Sequence, residues 1–206
     1  MLGRPTRSLK RVGRVATSAL ALALAILVTI PVPALAEPVP GERCDYGKRE
    51  SYVLSAQVTP VVTHYLGYYV TSGTSGSRTD SLSVTNTVTT TYGTNTEISS
   101  TAGEALAQVG TKVGFSVQTT TSTTRTESTS MQWSFSQPGY YGLYKGTRRV
   151  DGTVKVYICN WLGLRWMPPL TLDYTTYSYM EEGTVTCNDV LPPDTVRGAA
   201  RQQLHC

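Results

Sequence analysis

Two histidines, His64 and His205, are the only imidazoles in the chain, so any acid–base or nucleophile-activating chemistry near neutral pH would have to pass through them. A Ser-His-Asp arrangement needs His64 as its base, yet no serine stands in a Gly-x-Ser-x-Gly elbow. His64 lies in the run Val61 to Val70, where a partly buried sheet histidine is expected, and His205 adjoins the last cysteine. Glu181-Glu182 offers two carboxylates of the kind glycoside cleavage uses. Neighbours on a strand point to opposite faces, so this pair reads as a solvated turn before Gly183. With no phosphate loop, calcium loop, glycosylation sequon or clustered Cys/His spacing, the expectation is a non-enzyme without catalytic residues, metal or cofactor.

The four cysteines suit disulfide chemistry, because the chain opens with an export signal. Arg4, Arg7, Lys10, Arg11 and Arg14 precede the apolar run Ala16 to Ile30. Pro31, Pro33 and Ala34-Leu35-Ala36 then supply a break and a small-x-small cleavage site, so residues 1–36 are expected to be removed. Secretion into an oxidising medium makes two disulfides from Cys44, Cys159, Cys187 and Cys206, of three arithmetically allowed pairings. Position along the chain favours Cys44–Cys206 with Cys159–Cys187. Removing the leader's five basic residues from the 18 leaves 13 against 14 acidic residues, a net charge of −1. The basic balance of the whole chain therefore belongs to the leader and gives no ground for a nucleic-acid partner.

Aromatic chemistry is the other notable resource. Thirteen Tyr stand against two Phe, so aromatic surface is placed where a hydroxyl meets water or sugar. Tyr68, Tyr69, Tyr140, Tyr141, Tyr144, Trp161 and Trp166 are candidates for a carbohydrate-stacking face or a membrane-interface belt, against the plainer reading of cross-strand packing.

The elements that must position these residues are strands. In Thr71 to Ser136, 32 of 66 residues are Ser or Thr, and no Pro occurs between Val61 and Gln137. Between Asp80 and Tyr92 one face reads Leu82, Val84, Asn86, Val88, Thr90, Tyr92 while the other is uniformly Ser or Thr, the alternation of an amphipathic strand. Ser51 to Val58 and Val61 to Val70 read as two strands separated by Pro60, and Thr71 to Arg78 as a loop. Asp151-Gly152 reads as a hairpin turn, Thr171 to Met180 as a last strand, and the tail from Asp189 as irregular. Ala102, Ala105, Leu106 and Val109 fit a helical stripe behind a capping box at Thr101–Glu104. From Ala105 to Val117 the same residues also fit a period of two, and a short helical turn over 102–108 running into a strand from Val109 reconciles the two. The fold class expected is all-β: an elongated antiparallel sheet or sandwich with long Ser/Thr-rich strands, forming one disulfide-linked domain over 37–206.

Three of these features together resemble the central β region of the aerolysin and epsilon-toxin/mosquitocidal-toxin superfamily: paired Ser/Thr-rich amphipathic strands, a small-residue segment between them (Ala102 to Gly110), and Trp133-Ser-Phe-Ser-Gln-Pro138-Gly139 leading into a tyrosine-rich hairpin. The plan is also similar to that of small exported actinobacterial β proteins. The resemblance covers about Thr79 to Cys159. It implies a soluble β domain with a tucked hairpin that assembles as a homo-oligomer on a membrane lipid or cell-surface receptor and threads the hairpin into a barrel. The matching piece lies within Tyr92 to Val117, where Ala105, Val109, Val113, Phe115 and Val117 are the membrane-hairpin candidates and Lys112, Ser116 and Gln118 face water. The competing expectation is a non-lytic secreted or envelope-associated binding protein that holds sugar through its aromatics.

Overall fold

Val, Thr and Tyr dominate the chain from Arg49 to Val70, and residues branched at Cβ or aromatic favour extended backbone. That segment is one strand, β1 (Arg49–Val70), 22 residues long. Its partner is β5 (Gly139–Asn160), equally long. They pair antiparallel from Arg49 opposite Ile158 to Val70 opposite Gly139. At about 3.3 Å per residue this ladder runs for roughly 70 Å. The structure is a computed structural model describing residues 36–124, 126–204 and 206. Of the leader expected over 1–36, residues 1–35 lie outside those residues, as does His205.

The remaining elements attach to this pair. The far edge of β5 is lined in turn by β8 (Glu181–Thr186) along Tyr141–Gly146, β7 (Leu170–Tyr177) along Arg149–Val156, and the short β6 (Arg165–Trp166) at Cys159–Asn160. The two-residue β3 (Thr91–Tyr92) pairs β7. On the other side β2 (Gly76–Val84) meets β1 at His64 and Tyr65 and carries β4 (Thr129–Phe135), completing an antiparallel sheet of eight strands. Two helices, α1 (Ser100–Val113) and α2 (Val196–Gln202), pack on it. The all-β class expected from the strand periodicity is what the protein has.

Several local expectations are corrected. Pro60 does not interrupt the strand. It sits within β1 opposite Arg148, at a level where β2 has not yet joined the other edge, so its missing N–H takes nothing from the ladder. Asp151-Gly152 is not a turn but the middle of β5. A Cβ on Gly152 would stand 2.1 Å from Ser55 O and 2.7 Å from the Tyr174 hydroxyl, which donates to that carbonyl. The glycine is there for close approach, and burial pushes Tyr174 up to about 12. Glu181-Glu182 opens β8 rather than forming a turn, with Glu182 paired to Lys145 at 2.9 Å. The loop expected over 71–78 is shorter, since β2 begins at Gly76, and the strand expected from Asp80 to Tyr92 stops at Val84. The tail is not wholly irregular either: Thr195 caps α2 by accepting from Gly198 N, and Val196 and Ala200 bury against Val62, Tyr144 and Val185.

The disulfide pairing is also corrected. The bridges are Cys44–Cys159 and Cys187–Cys206. Antiparallel pairing of β1 with the end of β5 delivers Cys44 to Cys159. Cys187 follows β8, which lies at the opposite end of β5, some 18 residues and about 60 Å away from Cys159.

The loops closed by these bridges span 115 and 19 residues. In the chain-entropy account they stabilise by about 5 and 3 kcal/mol respectively. Cys44→Ala/Cys159→Ala is therefore expected to lower the urea midpoint more than Cys187→Ala/Cys206→Ala. Non-reducing peptide mapping should recover only these two linked pairs, and a Cys159–Cys187 peptide would refute the topology.

Candidate functional site

The Ser/Thr-rich region is organised by the β2–β4 ladder, which sets Gly76 opposite Phe135 and Leu82 opposite Thr129. Residues 83–128 are thus an insertion of 46 residues closed by that ladder, 21 of them Ser or Thr and none of them Pro. Its two arms stay paired for a few residues more but one residue out of that register, Thr89 opposite Thr123, with Thr124 N donating to Val88 O and Thr90 N to Ser122 O, both at 2.9 Å. Beyond Thr91 the insertion leaves the ladder direction and folds down on the sheet.

Its centre is α1. Ser99, not Thr101, is the N-cap, accepting from Ala102 N at 3.3 Å. The helix closes at Gly114, whose φ of 78° is the left-handed conformation glycine adopts freely. Ala102, Ala105, Leu106 and Val109 form one buried stripe, the last three packed on Val150, Val154, Val156 and Tyr174. The strand expected from Val109 is therefore absent: the helix continues to Val113, because burying a 3.6-period stripe against the sheet outweighs the weak helix propensity of Gly110. Gly110 has a further use. The returning chain packs so tightly over α1 that a Cβ on Gly103 would meet Thr119 O at 2.6 Å, and one on Gly110 would meet Phe115 O at 3.1 Å.

The five hairpin candidates fall together in this unit. Ala105 and Val109 are wholly buried in the helix stripe, and Val117 is buried where it bridges to Ser178. Val113 and Phe115 are half-buried, the Phe115 ring lying under the Arg148 guanidinium at 3.8 Å. Lys112 Nζ donates to Val53 O at 2.7 Å and to Leu54 O at 2.9 Å, where β1 bulges. Among the described residues the Thr90 hydroxyl is buried without a partner, which costs the folded-down form about 1–3 kcal/mol.

The mouth of the insertion is pinned to the second bulge of β1, between Val62 and His64. Thr85 N donates to Thr63 O, and Asn86 Nδ2 to Val62 O, both at 2.8 Å. His64, 2% exposed, lies 3.0 Å from Glu127 O through Nε2 and 3.0 Å from Thr63 Oγ1 through Nδ1. A carbonyl only accepts, so Nε2 carries the proton of the first bond. His64 is the buried sheet histidine expected, and it also ties β1 to the arm that enters β4, a role without a sequence signal.

The ladder itself is held by an aromatic cluster. Trp133 packs against Tyr68, Phe135 and Tyr141 and donates Nε1–H to Asp80 Oδ2 at 2.8 Å, while Arg78 binds Oδ1 at 2.6 Å. Burial pushes the Asp80 carboxyl up, but the Trp133 and Arg78 hydrogen bonds more than offset that and hold it below 3.8. Of the aromatic surface candidates, Tyr140 and Trp161 are exposed and Tyr141 is half-buried, its hydroxyl donating to Gln137 O. Tyr144 and Trp166 are corrected to core residues: Tyr144 lies under α2, and Trp166 packs edge-on to Tyr157 beside the Cys44–Cys159 bridge. Tyr69 and Tyr140 lie tilted against each other, ring centroids 4.7 Å apart, on the open surface.

Among the described residues no His/Cys/Asp/Glu group could hold a metal, and no helix is long and apolar enough to cross a membrane. No family model, curated protein or solved structure matches the chain.

Gly103→Ala is expected to loosen the insertion by about 1–3 kcal/mol, seen as faster amide exchange over 99–121 with β1 and β5 still protected; equal exchange in both regions would sink the idea of a separable unit. Asp80 gives a pH prediction. Its folded pKa is depressed, so its contribution is complete above the ordinary carboxylate value of about 4 and drains as pH falls through the folded value. Asp80→Asn should lower stability at pH 7 and flatten the loss on acidification, as urea titrations across pH 2–7 would read out.

Proposed function

We propose that this is an exported β protein that assembles on membranes and refolds the insertion into a hairpin continuing the β2–β4 ladder, as its resemblance to aerolysin-like proteins implies. The observation that most supports this is the ladder's register. The folded-down arms leave this register by one residue, at Thr89 opposite Thr123; an extended hairpin that kept the pairing of Leu82 with Thr129 would set Thr96 opposite Phe115, Ile98 opposite Val113 and Ala102 opposite Val109, with reversal at Ala105-Leu106. Directly opposed side chains share a face. Val88, Tyr92, Ile98, Ala102, Val109, Val113, Phe115 and Val117 then fall on the face that already carries Leu82, Met131 and Trp133. Ser, Thr, Gln, Asn95, Glu97 and Lys112 take the other, while Asn86, Thr90, Thr94, Thr96, Ser100 and Thr111 share the first face with the aliphatics.

The insertion thus supports two periods at once. Read at 3.6 residues, it buries Ala102, Ala105, Leu106 and Val109 under the sheet; read at two, it gathers its aliphatics, apart from Ala105 and Leu106 at the reversal, on one face of a hydroxyl-rich hairpin. Each arm of about 20 residues would reach roughly 65 Å, beyond the 30 Å of hydrocarbon, leaving the Ser/Thr-rich parts as a stem outside it. The arm before the reversal is weakly apolar, with Ile98 its largest aliphatic side chain, so insertion requires a closed ring in which no strand edge faces lipid.

The exposed, mutually tilted pair Tyr69–Tyr140 favours the second reading, a non-lytic binding protein that keeps the insertion as permanent core and holds sugar on its aromatics. Neither reading assigns a reaction to the chain.

Dye release from vesicles, measured with oligomer formation, separates the two. The first predicts leakage that Val113→Asp abolishes while the monomer keeps its fold. A protein that stays monomeric and non-lytic on every membrane tested, yet loses glycan binding with Tyr140→Ala, is the outcome that replaces it.

A further inference from the structure

Tight turns are ordinarily built from Gly, Asn, Asp, Ser and Pro, but the turn joining β5 to β6 reads Trp161-Leu162-Gly163-Leu164. Trp161 and Leu162 are 69% and 75% exposed, and Leu164, Met167 and Leu170 stand exposed beside them. The display is rigid rather than accidental. Leu162 N donates to Asn160 Oδ1 and Leu164 N to Asn160 O, both at 2.9 Å. Leu164 holds a φ of 46°, a conformation that costs a branched residue energy and persists only where its surroundings impose it. Cys44 N donates to Leu164 O at 2.9 Å, and the Cys44–Cys159 bridge fastens the base of the turn.

Beneath the apolar tip lies an open hollow of about 500 Å³ lined by Arg43, Asp45, Lys48, Leu164 and Trp166. Lys48 pairs with Glu50, which leaves Arg43, Arg49 and Arg165 around the tip against Glu42 and Asp45. A rigid Trp/Leu apex above a modestly cationic collar matches the interface of a phospholipid bilayer, where indole rings settle at headgroup depth and guanidinium groups meet phosphate.

We infer that the Trp161–Leu164 turn is a membrane-docking tip that seats in the headgroup–acyl boundary of a phospholipid bilayer, with Arg43 facing lipid phosphate. The docking stands independently of pore formation. One supporting argument does rest on that reading. β2 runs antiparallel to β1 and so heads toward the end where this turn lies, and α1 already reaches Val53 on the way. A hairpin extending the β2–β4 ladder would emerge beside the docked tip.

The test is co-sedimentation of the oxidised exported protein with vesicles of phosphatidylcholine, alone or with about one-third phosphatidylglycerol. Tryptophan emission is followed on the same samples. Trp133 and Trp166 are buried, so a blue shift on binding reports Trp161. Trp161→Ser/Leu162→Ser, at two exposed positions, should keep the fold and both disulfides while weakening vesicle partition about tenfold or more. Arg43→Gln should weaken it chiefly on the anionic vesicles. The inference is overturned if the unmodified protein binds neither vesicle, if the double variant binds as well as the parent, or if the parent is a lipid-free dimer that the double variant dissolves, which would make a second copy the occupant. Dye release in the same tubes keeps the two readings apart. Tip-dependent binding without release upholds the docking and removes the pore; release with binding indifferent to the tip does the opposite.

Discussion

The pairing of β1 with β5 is the constraint from which the rest follows. Two strands of 22 residues lie side by side along their whole length, and backbone hydrogen bonding over that distance leaves little freedom in where any neighbour can attach. The exceptions are the two bulges in β1, between Val53 and Ser55 and between Val62 and His64. A bulge frees backbone groups from the ladder, and buried or half-buried carbonyls must find donors elsewhere. At the first, Lys112 takes Val53 O and Leu54 O, and Tyr174 takes Ser55 O. At the second, Asn86 takes Val62 O and Thr85 N takes Thr63 O. The insertion is therefore moored at the two irregular points of the longest ladder.

This mooring orders a segment whose hold on the sheet is narrow. Its helix buries a narrow stripe of four side chains, three of them small or medium aliphatics, and the rest of its surface is hydroxyl-rich. The contacts that hold it are a helix stripe, a lysine on two carbonyls, a few threonine hydroxyls and a histidine at its mouth, with one buried threonine left unsatisfied. None of the eight strands takes its register from α1. Two-period sequences of this kind are under-determined locally, and the available partner surface selects the outcome.

The two ends of the ladder are built differently. At the β2–β4 end an aromatic cluster around Trp133 is tied by Asp80 and Arg78. At the other end the Cys44–Cys159 bridge, Tyr157 and Trp166 make a small core beneath a turn whose own apolar side chains point outward. There the Cys44–Cys159 bridge and a left-handed Leu164 hold Trp161 and Leu162 out in solvent, at the same end toward which β2 is aimed.

What the sequence determined by itself was the class of structure and its local preferences. Alternation of Ser/Thr with aliphatics, β-branched runs and an even count of cysteines gave a mostly β protein with two bridges, and the stripe Ala102-Ala105-Leu106-Val109 marked the helix. Those signals are local, since side-chain periodicity is written within a few residues. Only the tertiary structure decided the rest, because each remaining question compared residues far apart. Pro60 and Gly152 look like breaks until β1 and β5 are paired, when one proves to lie on an open edge and the other to make room for Tyr174 and Ser55. Which cysteines meet depends on which ends of β5 and β8 adjoin. Whether Val109 to Val117 forms strand or helix and return depends on the apolar face offered by Val150, Val154 and Tyr174. Tyr144 and Trp166 carry the same aromatic signature as Tyr140 and Trp161, and only their place under α2 or beside Cys44–Cys159 sends them inward.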